Sequence, residues 1–489
     1  MSSTPPDARR VTAVVGVLSL AVFMSSLDLF IVNLAFPYIS KQYPGTSLSS
    51  LSWVLNAYTI VFAAVLVPAG RWADRVGRLR VFVTGLAVFS AGSVLCGLAP
   101  GVGLLIAARV VQAAGAGAMV PASLSLLLAA VPAAARAKAI GTWSALGALG
   151  AALGPVIGGA LVQANWRWVF WINVPVGLAG TVLGWFVLAP TSGLPDKASF
   201  DWKGAMLIAP ALTATVAVLN EGYAWGATSP FLLGLAALAV ILLALFVRAE
   251  RRAQDPLIDL NLFGRRAFSA GSLAGLLAYA ALFGLFFLMP FVFVRAYQDS
   301  ALSAGLRLCI VPVMIGVVAP MAGALYDSIG ARWPTVLGML VCVGACVMLG
   351  LALDGARDRL PLVMLALAVF GTGQGLFISP NNSAIVAAAP ARLTGEAGGL
   401  VNVMRSCGVS IGVAAASSLL AWRLAALTGS GLNTLHAGAA QLLSASRDVV
   451  ALLGGLAAIA GAVSLAQTRP ACSRRRDGKI REPSSRSGP

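Results

Sequence analysis

The stretch Gly70–Arg80, GRWADRVGRLR, decides how this chain folds, because it places five charged residues between two long apolar runs. The charged residues are Arg71, Asp74, Arg75, Arg78 and Arg80. A short, mostly basic segment between apolar runs is typical of a loop that joins two membrane spans on the cytoplasmic side. We therefore expect Gly70–Arg80 to be a very short inner loop.

The composition excludes a soluble protein. Of the 489 residues, 59% are hydrophobic and 10% are charged, whereas a soluble domain has about 25% charged residues. An all-α integral membrane protein is the class that fits. The net charge of +17 alone suggests nucleic acid, but the basic residues fall in short loops and in the tail, as membrane topology requires. We expect no nucleic-acid partner and a lipid bilayer around the chain.

Apolar runs of about 20 residues, the length that spans a bilayer, predict fourteen transmembrane helices. They are 12–36, 52–70, 79–99, 102–127, 139–163, 168–189, 203–220, 230–248, 267–294, 303–324, 333–353, 360–380, 397–421 and 448–468. The run 203–220 is the weakest, because it is short and contains Pro210. With the N-terminus inside, 24 of the 34 Lys and Arg lie in inner segments and eight in outer ones. This bias predicts that both termini are inside.

A weak internal repeat predicts two related halves. The segment Gly323–Arg332, GALYDSIGAR, follows the tenth run as Gly70–Arg80 follows the second. If runs seven and eight are an insertion, both halves have six spans. The predicted divisions are an N-terminal six-helix bundle at 1–190, an inserted helix pair with a linker at 191–266, a second six-helix bundle at 267–468 and a basic tail at 469–489.

Two charged residues within the first half are candidates for function. Asp28 lies inside the first run and Arg109 inside the fourth, at similar predicted depth in the outer half of the membrane. A carboxylate at such depth costs a few kcal/mol and is by default a functional candidate. We expect Asp28 and Arg109 to interact directly or through Gln112, Asn33 or water, and to respond to protons or to a cationic ligand. A purely structural ion pair is the alternative.

Small residues in the fifth span predict close helix packing. In Gly150–Gly159, GAALGPVIGG, Gly150 and Gly154 form a face on which a neighbouring backbone can pack. Pro155 removes a helical hydrogen bond and permits a kink. We expect a moving seam here, with Gly158 and Gly159 in the same run; packing without motion is the alternative.

The inner loop and the second half contain further polar candidates. Gly70 permits close helix approach, and Asp74 either caps the next helix or pairs with Arg75 or Arg78. The second-half candidates are Gln374 in the twelfth span and Glu396, Asn402 and Arg405 in the thirteenth. Glu396 lies near the inner surface, where an acidic residue at a helix N-terminus is the simpler interpretation. No metal-ligand cluster or nucleotide-binding P-loop occurs in the sequence.

Several motifs in order resemble the major facilitator superfamily, and within it the fourteen-span drug/proton antiporters. They are LDLFIVNLAFP (Leu27–Pro37), WVLNAYTIVFAAVLVPAGRWADRVGR (Trp53–Arg78), LIAARVVQAAGAG (Leu105–Gly117), GAALGPVIGG (Gly150–Gly159) and WRWVFWINVPVG (Trp166–Gly177). Phe30 stands where a Thr is common in the first motif, and Ala114 where a Gly is common in the third. The resemblance covers nearly the whole chain.

The resemblance implies two six-helix bundles around a central cavity and alternating access. It implies a bacterial plasma-membrane protein, not an enzyme, that exports small amphipathic drugs or antibiotics in exchange for protons, as a monomer without a cofactor. Asp28 would then be the protonation or cation-recognition site, Arg109 its coupling partner and Gly154–Pro155 the antiporter seam. The inner gate would comprise Gly70, Asp74, Arg75, Gly77 and Arg78. The expected cavity walls are Asn33, Tyr58, Trp143 and Gln374.

Two other functions remain open at the level of sequence. One is proton-coupled import of a nutrient or metabolite, against which the antiporter motif and the inserted pair argue. The other is a non-transporting membrane receptor or membrane enzyme, which no catalytic cluster or attached soluble domain in the sequence supports. The Ala-, Gly- and Arg-rich composition is typical of a GC-rich genome, which favours self-resistance in an antibiotic producer.

Overall fold

The computed structural model describes residues 8–132, 135–188, 202–226, 228–253, 259–390, 393–429 and 437–467. Within these ranges the chain is helical, with short connections and no strand. The predicted basic tail at 469–489 and the first part of the linker before the inserted pair lie outside the described residues. Helices are the expected element here, because a lipid environment requires each backbone group to find its partner within the protein.

The first half begins with α1 (Ala8–Ile31), which continues through a 3₁₀ turn (Val32–Ala35) into α2 (Phe36–Gln42). The remaining helices of this half are α3 (Leu48–Val76), α4 (Arg78–Leu98), α5 (Val102–Ala130), α6 (Arg136–Ala164), α7 (Trp168–Trp171) and α8 (Asn173–Val187). The inserted pair is α9 (Trp202–Trp225) and α10 (Pro230–Arg252).

The second half contains α11 (Arg266–Phe291), which ends in a π-helical turn (Val292–Ala296), and α12 (Ala301–Leu308) with α13 (Ile310–Ile329). It continues with α14 (Arg332–Ala352), α15 (Leu360–Ala388), α16 (Thr394–Thr428) and α17 (Ala439–Ser464). Among the described residues, thirteen helical segments are long and apolar enough to cross a membrane. The fourteenth is α9, whose apolar part, Met206–Gly222, is shorter, so the weakest of the predicted spans is a helix as well.

The helices pack as two bundles with the inserted pair at the side. In the first bundle α1 packs on α6, and α5 packs on α3 and α4; in the second, α11 packs on α16 and α17, and α15 on α13 and α14. The bundles meet along two lines, α3 against α16 and α6 against α12. Helix α9 packs on both α3 and α16, whereas α10 contacts mainly α9. We call the side of the membrane to which the charge bias assigns the termini inner, and the opposite side outer.

The expected inner loop is almost entirely helical, which corrects the sequence prediction. Helix α3 runs on to Val76 and α4 begins at Arg78, so only Gly77 connects them. Gly77 has φ +106°, a backbone conformation that strains residues with a side chain. The apolar run ends before the helix does, because arginines extend α3 into the polar interface as readily as apolar residues do.

Two charged residues of this turn, Asp74 and Arg78, make contacts within the first half. Arg78 Nε lies 2.8 Å from Asp74 Oδ1, and Arg78 Nη1 donates to the Ser125 carbonyl of α5 at 3.3 Å. Asp74 therefore pairs with Arg78 and does not cap α4, whose N-cap is Gly77 without a side-chain bond. The close helix approach expected at Gly70 is absent, since a Cβ added there would lie 3.8 Å from Pro121 Cβ, an ordinary contact.

Candidate functional site

Asp28 lies in the middle of a hydrogen-bonded cluster inside the first bundle. Its side chain is fully buried. Arg109 Nη1 donates to Oδ2 at 2.5 Å, Gln112 Nε2 donates to Oδ1 at 2.9 Å, and Asn173 Nδ2 donates to Oδ1 at 3.2 Å. Three helices, α1, α5 and α8, therefore meet at one carboxylate.

Arg109 contacts three neighbours besides Asp28, although its Nη2 has no hydrogen-bond partner among the described residues. Its Nε donates to the Val54 carbonyl of α3 at 3.1 Å, and Nη1 also donates to Gln112 Oε1 at 2.7 Å. The Tyr58 ring lies with its centroid 4.1 Å from Cζ, a distance at which a cation is attracted to an aromatic face. The Tyr58 hydroxyl is 3.3 Å from Ser25 Oγ, so α3 is joined to α1 around the same charge pair.

Helical spacing explains how α5 supplies two members of the cluster. Arg109 and Gln112 are three residues apart, which places them on one face of the helix. Gln112 Nε2 also donates to Ser93 Oγ at 2.8 Å. Cys96, one turn further along α4, has its Sγ 3.6 Å from Gln112 Oε1. The Gln112 amide therefore connects the charge pair to α4 by hydrogen bonds.

Asp28 and Arg109 form an ion pair without net charge, whereas burial of either charge alone would cost more free energy. Breaking a buried ion pair by removing one partner typically costs 3–5 kcal/mol, because the other charge stays buried and unpaired. A proton on Asp28 would remove one of these charges and weaken its contact with Arg109. The cluster is therefore a place where binding of a cation can change helix contacts.

Other predicted members of this site lie apart from it. Asn33 Nδ2 donates to the Leu29 carbonyl of its own helix at 3.0 Å and does not reach the Asp28 cluster. Gln374 is fully buried and donates to the Ala278 carbonyl of α11 at 3.1 Å. Trp143 Nε1 donates to Ser123 Oγ at 3.1 Å, from α6 to α5. As walls of a central cavity, these three residues and Tyr58 stay predictions.

The polar residues of α16 approach the first half at two depths. Arg405 is partly exposed and close enough to Tyr58 for an electrostatic interaction. Glu396 Oε1 lies 3.9 Å from Arg71 Nη2 of α3, near the inner surface. Asn402 donates to the Gly398 carbonyl of its own helix at 3.2 Å. Of the predicted inner gate residues, Asp74 and Arg78 form an ion pair within the first half. Their neighbour Arg71, which was not predicted as a gate residue, contacts Glu396 of the second half.

The predicted seam residues pack against two different helices. A Cβ added to Gly150 would lie 2.5 Å from the Phe23 carbonyl oxygen, and one added to Gly154 would lie 2.7 Å from Phe30 Cβ, both on α1. Gly158 likewise faces Ile31. Gly159 faces the second half instead, where its added Cβ would lie 2.4 Å from the Ala301 carbonyl oxygen of α12. The run therefore places α6 against both the Asp28 helix and the other bundle.

Aromatic side chains close the region between the halves on the outer side. The Phe30 ring of α1 lies 5.1 Å from Phe283 and 5.0 Å from Phe286 of α11, centroid to centroid. Phe36 lies 5.6 Å from Phe287 in the same way. Beyond these rings a cavity of about 710 Å³ opens at the outer surface, with Tyr38 and Lys41 in its lining.

Sequence reasoning missed Asn173 as a member of the Asp28 cluster. It lies at the start of α8 in WRWVFWINVPVG, a stretch whose tryptophans indicated a membrane interface. Asn173 is 1% exposed, and its Oδ1 has no hydrogen-bond partner among the described residues. The available signal was a polar amide within an apolar run, which is the same signal that identified Asp28.

The fold and the buried cluster define the class of architecture: a multi-pass helical membrane protein with a charge pair inside one bundle. Residues 18–413 match the family model of the Major Facilitator Superfamily. The chain belongs to that family, which makes it a multi-pass transporter of the bacterial plasma membrane and not an enzyme. Its fold resembles a bacterial homologue of the human lysosomal transporter Spinster in an inward-facing, unoccupied conformation, with a TM-score of 0.68 at 17% identity, over 94% of this chain and 98% of that one.

Curated relatives of similar identity have more than one named role. The riboflavin transporter RibZ of Clostridioides difficile is 33% identical over 83% of this chain and 88% of its own length. The tetracenomycin C resistance and export protein of Streptomyces glaucescens is 34% identical, over 83% and 75%. The methylenomycin A resistance protein of Streptomyces coelicolor is 32% identical, over 90% and 91%.

Proposed function

We propose that this protein exports a small amphipathic drug or antibiotic from the bacterial cell in exchange for protons, by alternating access. The observation that carries the proposal is the Asp28 cluster. It holds a titratable carboxylate, fully buried within the membrane-spanning bundle, against Arg109 at 2.5 Å. Buried acids of this kind mark proton and substrate pathways. Two relatives named for antibiotic resistance support the direction of transport.

The coupling mechanism follows from the contacts around the carboxylate. Proton binding to Asp28 weakens its interactions with Arg109, Gln112 and Asn173, which come from α5 and α8. The α1 helix that holds Asp28 also packs on the glycine face of α6. Loss of the charge pair therefore changes the forces between helices that contact the second half. Arg109 stays charged throughout, because its guanidinium does not lose a proton in proteins.

Export and its energy source are tested in cells that lack their main efflux pumps. Expression of the wild-type protein is expected to raise resistance to at least one compound of an antibiotic panel and to lower its accumulation. A protonophore is expected to abolish that difference. Unchanged accumulation of every compound would count against export.

The role of the cluster is tested with D28N and R109K in the same cells. D28N is expected to lose proton-driven export, although the protein still reaches the membrane, because asparagine keeps the shape but cannot take up a proton. R109K is expected to reduce export strongly, since lysine cannot make the several directed bonds of the guanidinium. D358N, which changes an exposed carboxylate in the connection before α15, is the matched control. Full proton-coupled export by both D28N and R109K would refute the mechanism.

A second candidate function is uptake of a metabolite, which one relative named a riboflavin transporter favours. The two functions differ in the sign of the accumulation change. If expression raises the cellular content of riboflavin or a similar heterocycle, and a protonophore reverses that rise, uptake replaces export as the proposal.

A further inference from the structure

The inserted helix α9 makes side-chain hydrogen bonds to both halves through one residue, Asn220. Its side chain is 2% exposed. Ser52 Oγ of α3 donates to Asn220 Oδ1 at 2.5 Å, and Asn220 Nδ2 donates to the carbonyl and the hydroxyl oxygens of Ser49 at 3.1 and 3.0 Å. From α16, Ser417 Oγ donates to the same Oδ1 at 3.1 Å. We name these four residues the Asn220 bridge.

Neighbouring contacts show that α9 is docked here and does not merely pass by. Ser418 Oγ of α16 donates to the backbone carbonyls of Leu219 and Asn220 at 2.7 and 3.0 Å. Glu221 accepts hydrogen bonds from Ser49 Oγ and, at 3.0 Å, from Trp53 Nε1 of α3. In an apolar environment such polar contacts between helices are a main source of association. Helix α10 differs from α9, since many of its apolar side chains are exposed, among them Phe231, Leu233 and Val240.

The bridge lies at the outer end of a polar stripe between the halves. Ser52, Asn56 and Thr59 are three or four residues apart on α3 and so share one face. Thr59 Oγ1 lies 2.5 Å from Ser410 Oγ of α16. Asn56, between them, is fully buried, and neither atom of its amide has a hydrogen-bond partner among the described residues. An unsatisfied buried amide favours a state in which it meets water.

We propose that the inserted pair controls the outer opening of the transporter, because the Asn220 bridge holds the outer ends of α3 and α16 together until it releases one of them. This rests on the alternating access of the proposed function, in which the outer ends of the halves must separate. Two neighbouring groups then favour opposite states of the outer side: the Asn220 bridge stabilises the closed state, and the unsatisfied amide of Asn56 favours the open state. The bridge gives a role to α9, a helix that belongs to neither of the two six-helix bundles.

The test measures access of water to Asn56 and needs no transported compound. A cysteine is placed there with N56C in a C309S/C407S background, which removes the two partly exposed native thiols among the described residues, at the α12–α13 junction and in α16. A membrane-impermeant maleimide is added outside, and labelling at position 56 is followed by mass spectrometry. Labelling of the buried Cys96 reports any unfolding separately.

N220A is expected to raise the labelling rate at position 56 about threefold or more, because it removes one bond to α16 and three to α3, and one such bond shifts an equilibrium about threefold in membranes. S417A, which removes one bond to α16 only, is expected to raise the rate about threefold. T213A is the matched control, since Thr213 is exposed on the same helix and bonds only its own backbone.

Equal labelling in the N220A and T213A backgrounds, with Cys96 unlabelled in both, overturns the proposal. The result is independent of what the protein exports. If the wild-type protein moves no compound and N220A still raises labelling, the proposal of export is refuted and the proposed role of the Asn220 bridge is kept. If N220A loses export without any change in labelling, the proposed role of the bridge is refuted and the proposal of export is kept.

Discussion

At the scale of single residues, the Asp28 cluster shows how an ion pair is made tolerable within a membrane. Arg109 compensates the charge and donates to Oδ2, while Gln112 and Asn173 both donate to Oδ1. The three donors differ in what they contribute. Arg109 removes net charge, whereas the two amides orient the carboxylate between α5 and α8.

Replacement of Asn173 tests that orienting role. N173A is expected to lower the export rate about three- to tenfold, because one interhelical hydrogen bond is lost while the charge pair remains. N173D is expected to abolish export, since it puts a second carboxylate next to Asp28. The measurement is initial efflux rate at equal amounts of membrane protein. T181V, which alters a residue of the same helix that bonds only the Gly177 carbonyl, is expected to behave as wild type; N173A at the wild-type rate would contradict the assignment.

Sequence reasoning could find the charged members of this site and Gln112, but not Asn173. Asp28 and Arg109 stand out because a charge within an apolar run is rare and costly. Asn173 and Asn220 are neutral, and their partners are 145 and 168 residues away in the chain. Only helix packing decides whether such an amide meets a carboxylate, a serine or its own backbone, as the separate position of Asn33 shows.

At the scale of helices, the glycine face of α6 fixes its distance from α1. Since Gly150 and Gly154 leave no room for a Cβ, we expect G150V to displace α6 from the Asp28 helix. Overpacking of this kind typically costs 1–3 kcal/mol. G150V should therefore lower the thermal stability of the protein in detergent and reduce export.

The matched control for that change is G141V, because a Cβ at Gly141 would meet nothing within 4 Å on the same helix. It is expected to keep wild-type stability and export. Thermal unfolding followed by size-exclusion chromatography distinguishes the two variants. Equal stability of G150V and G141V would show that α6 and α1 are free to move apart at this point.

Helix existence was predictable, but helix ends were not. The fourteen apolar runs all correspond to helical segments, since twenty apolar residues have few other stable forms in lipid. The structure extends α3 through the arginines to Val76 and leaves only Gly77 as a connection. Charge marked the sidedness of that turn but carried no information about where helical hydrogen bonds stop.

At the scale of the whole molecule, the two halves meet at their outer ends along two lines that use different chemistry. Between α3 and α16 the contact combines the polar Asn220 bridge with an apolar cluster that includes Ile60 and Ala414. Between α6 and α12 it is a backbone contact, in which a Cβ added to Gly305 would lie 2.1 Å from the Pro155 carbonyl oxygen. Both lines, and the aromatic contacts of α1 and α2 with α11, have to separate for the outer side to open.

A methyl group at Gly305 should therefore separate α6 and α12. G305A is expected to raise hydrogen–deuterium exchange in peptides from the outer ends of these two helices. G344A is the control, since a Cβ at Gly344 would meet nothing within 4 Å. Exchange in G305A that matches G344A would mean that the outer ends are already apart for most of the time.

The pairing of Asp28 with Arg109 has a consequence for the membrane potential. As it stands, the pair has no net charge, so the voltage across the membrane exerts no net force on it. In a cycle that protonates Asp28, the same place carries one positive charge, on which 100 mV across its full path does about 2.3 kcal/mol of work. The voltage then contributes to the driving force in addition to the proton concentration difference, and the exchange of a neutral compound for a proton would carry current.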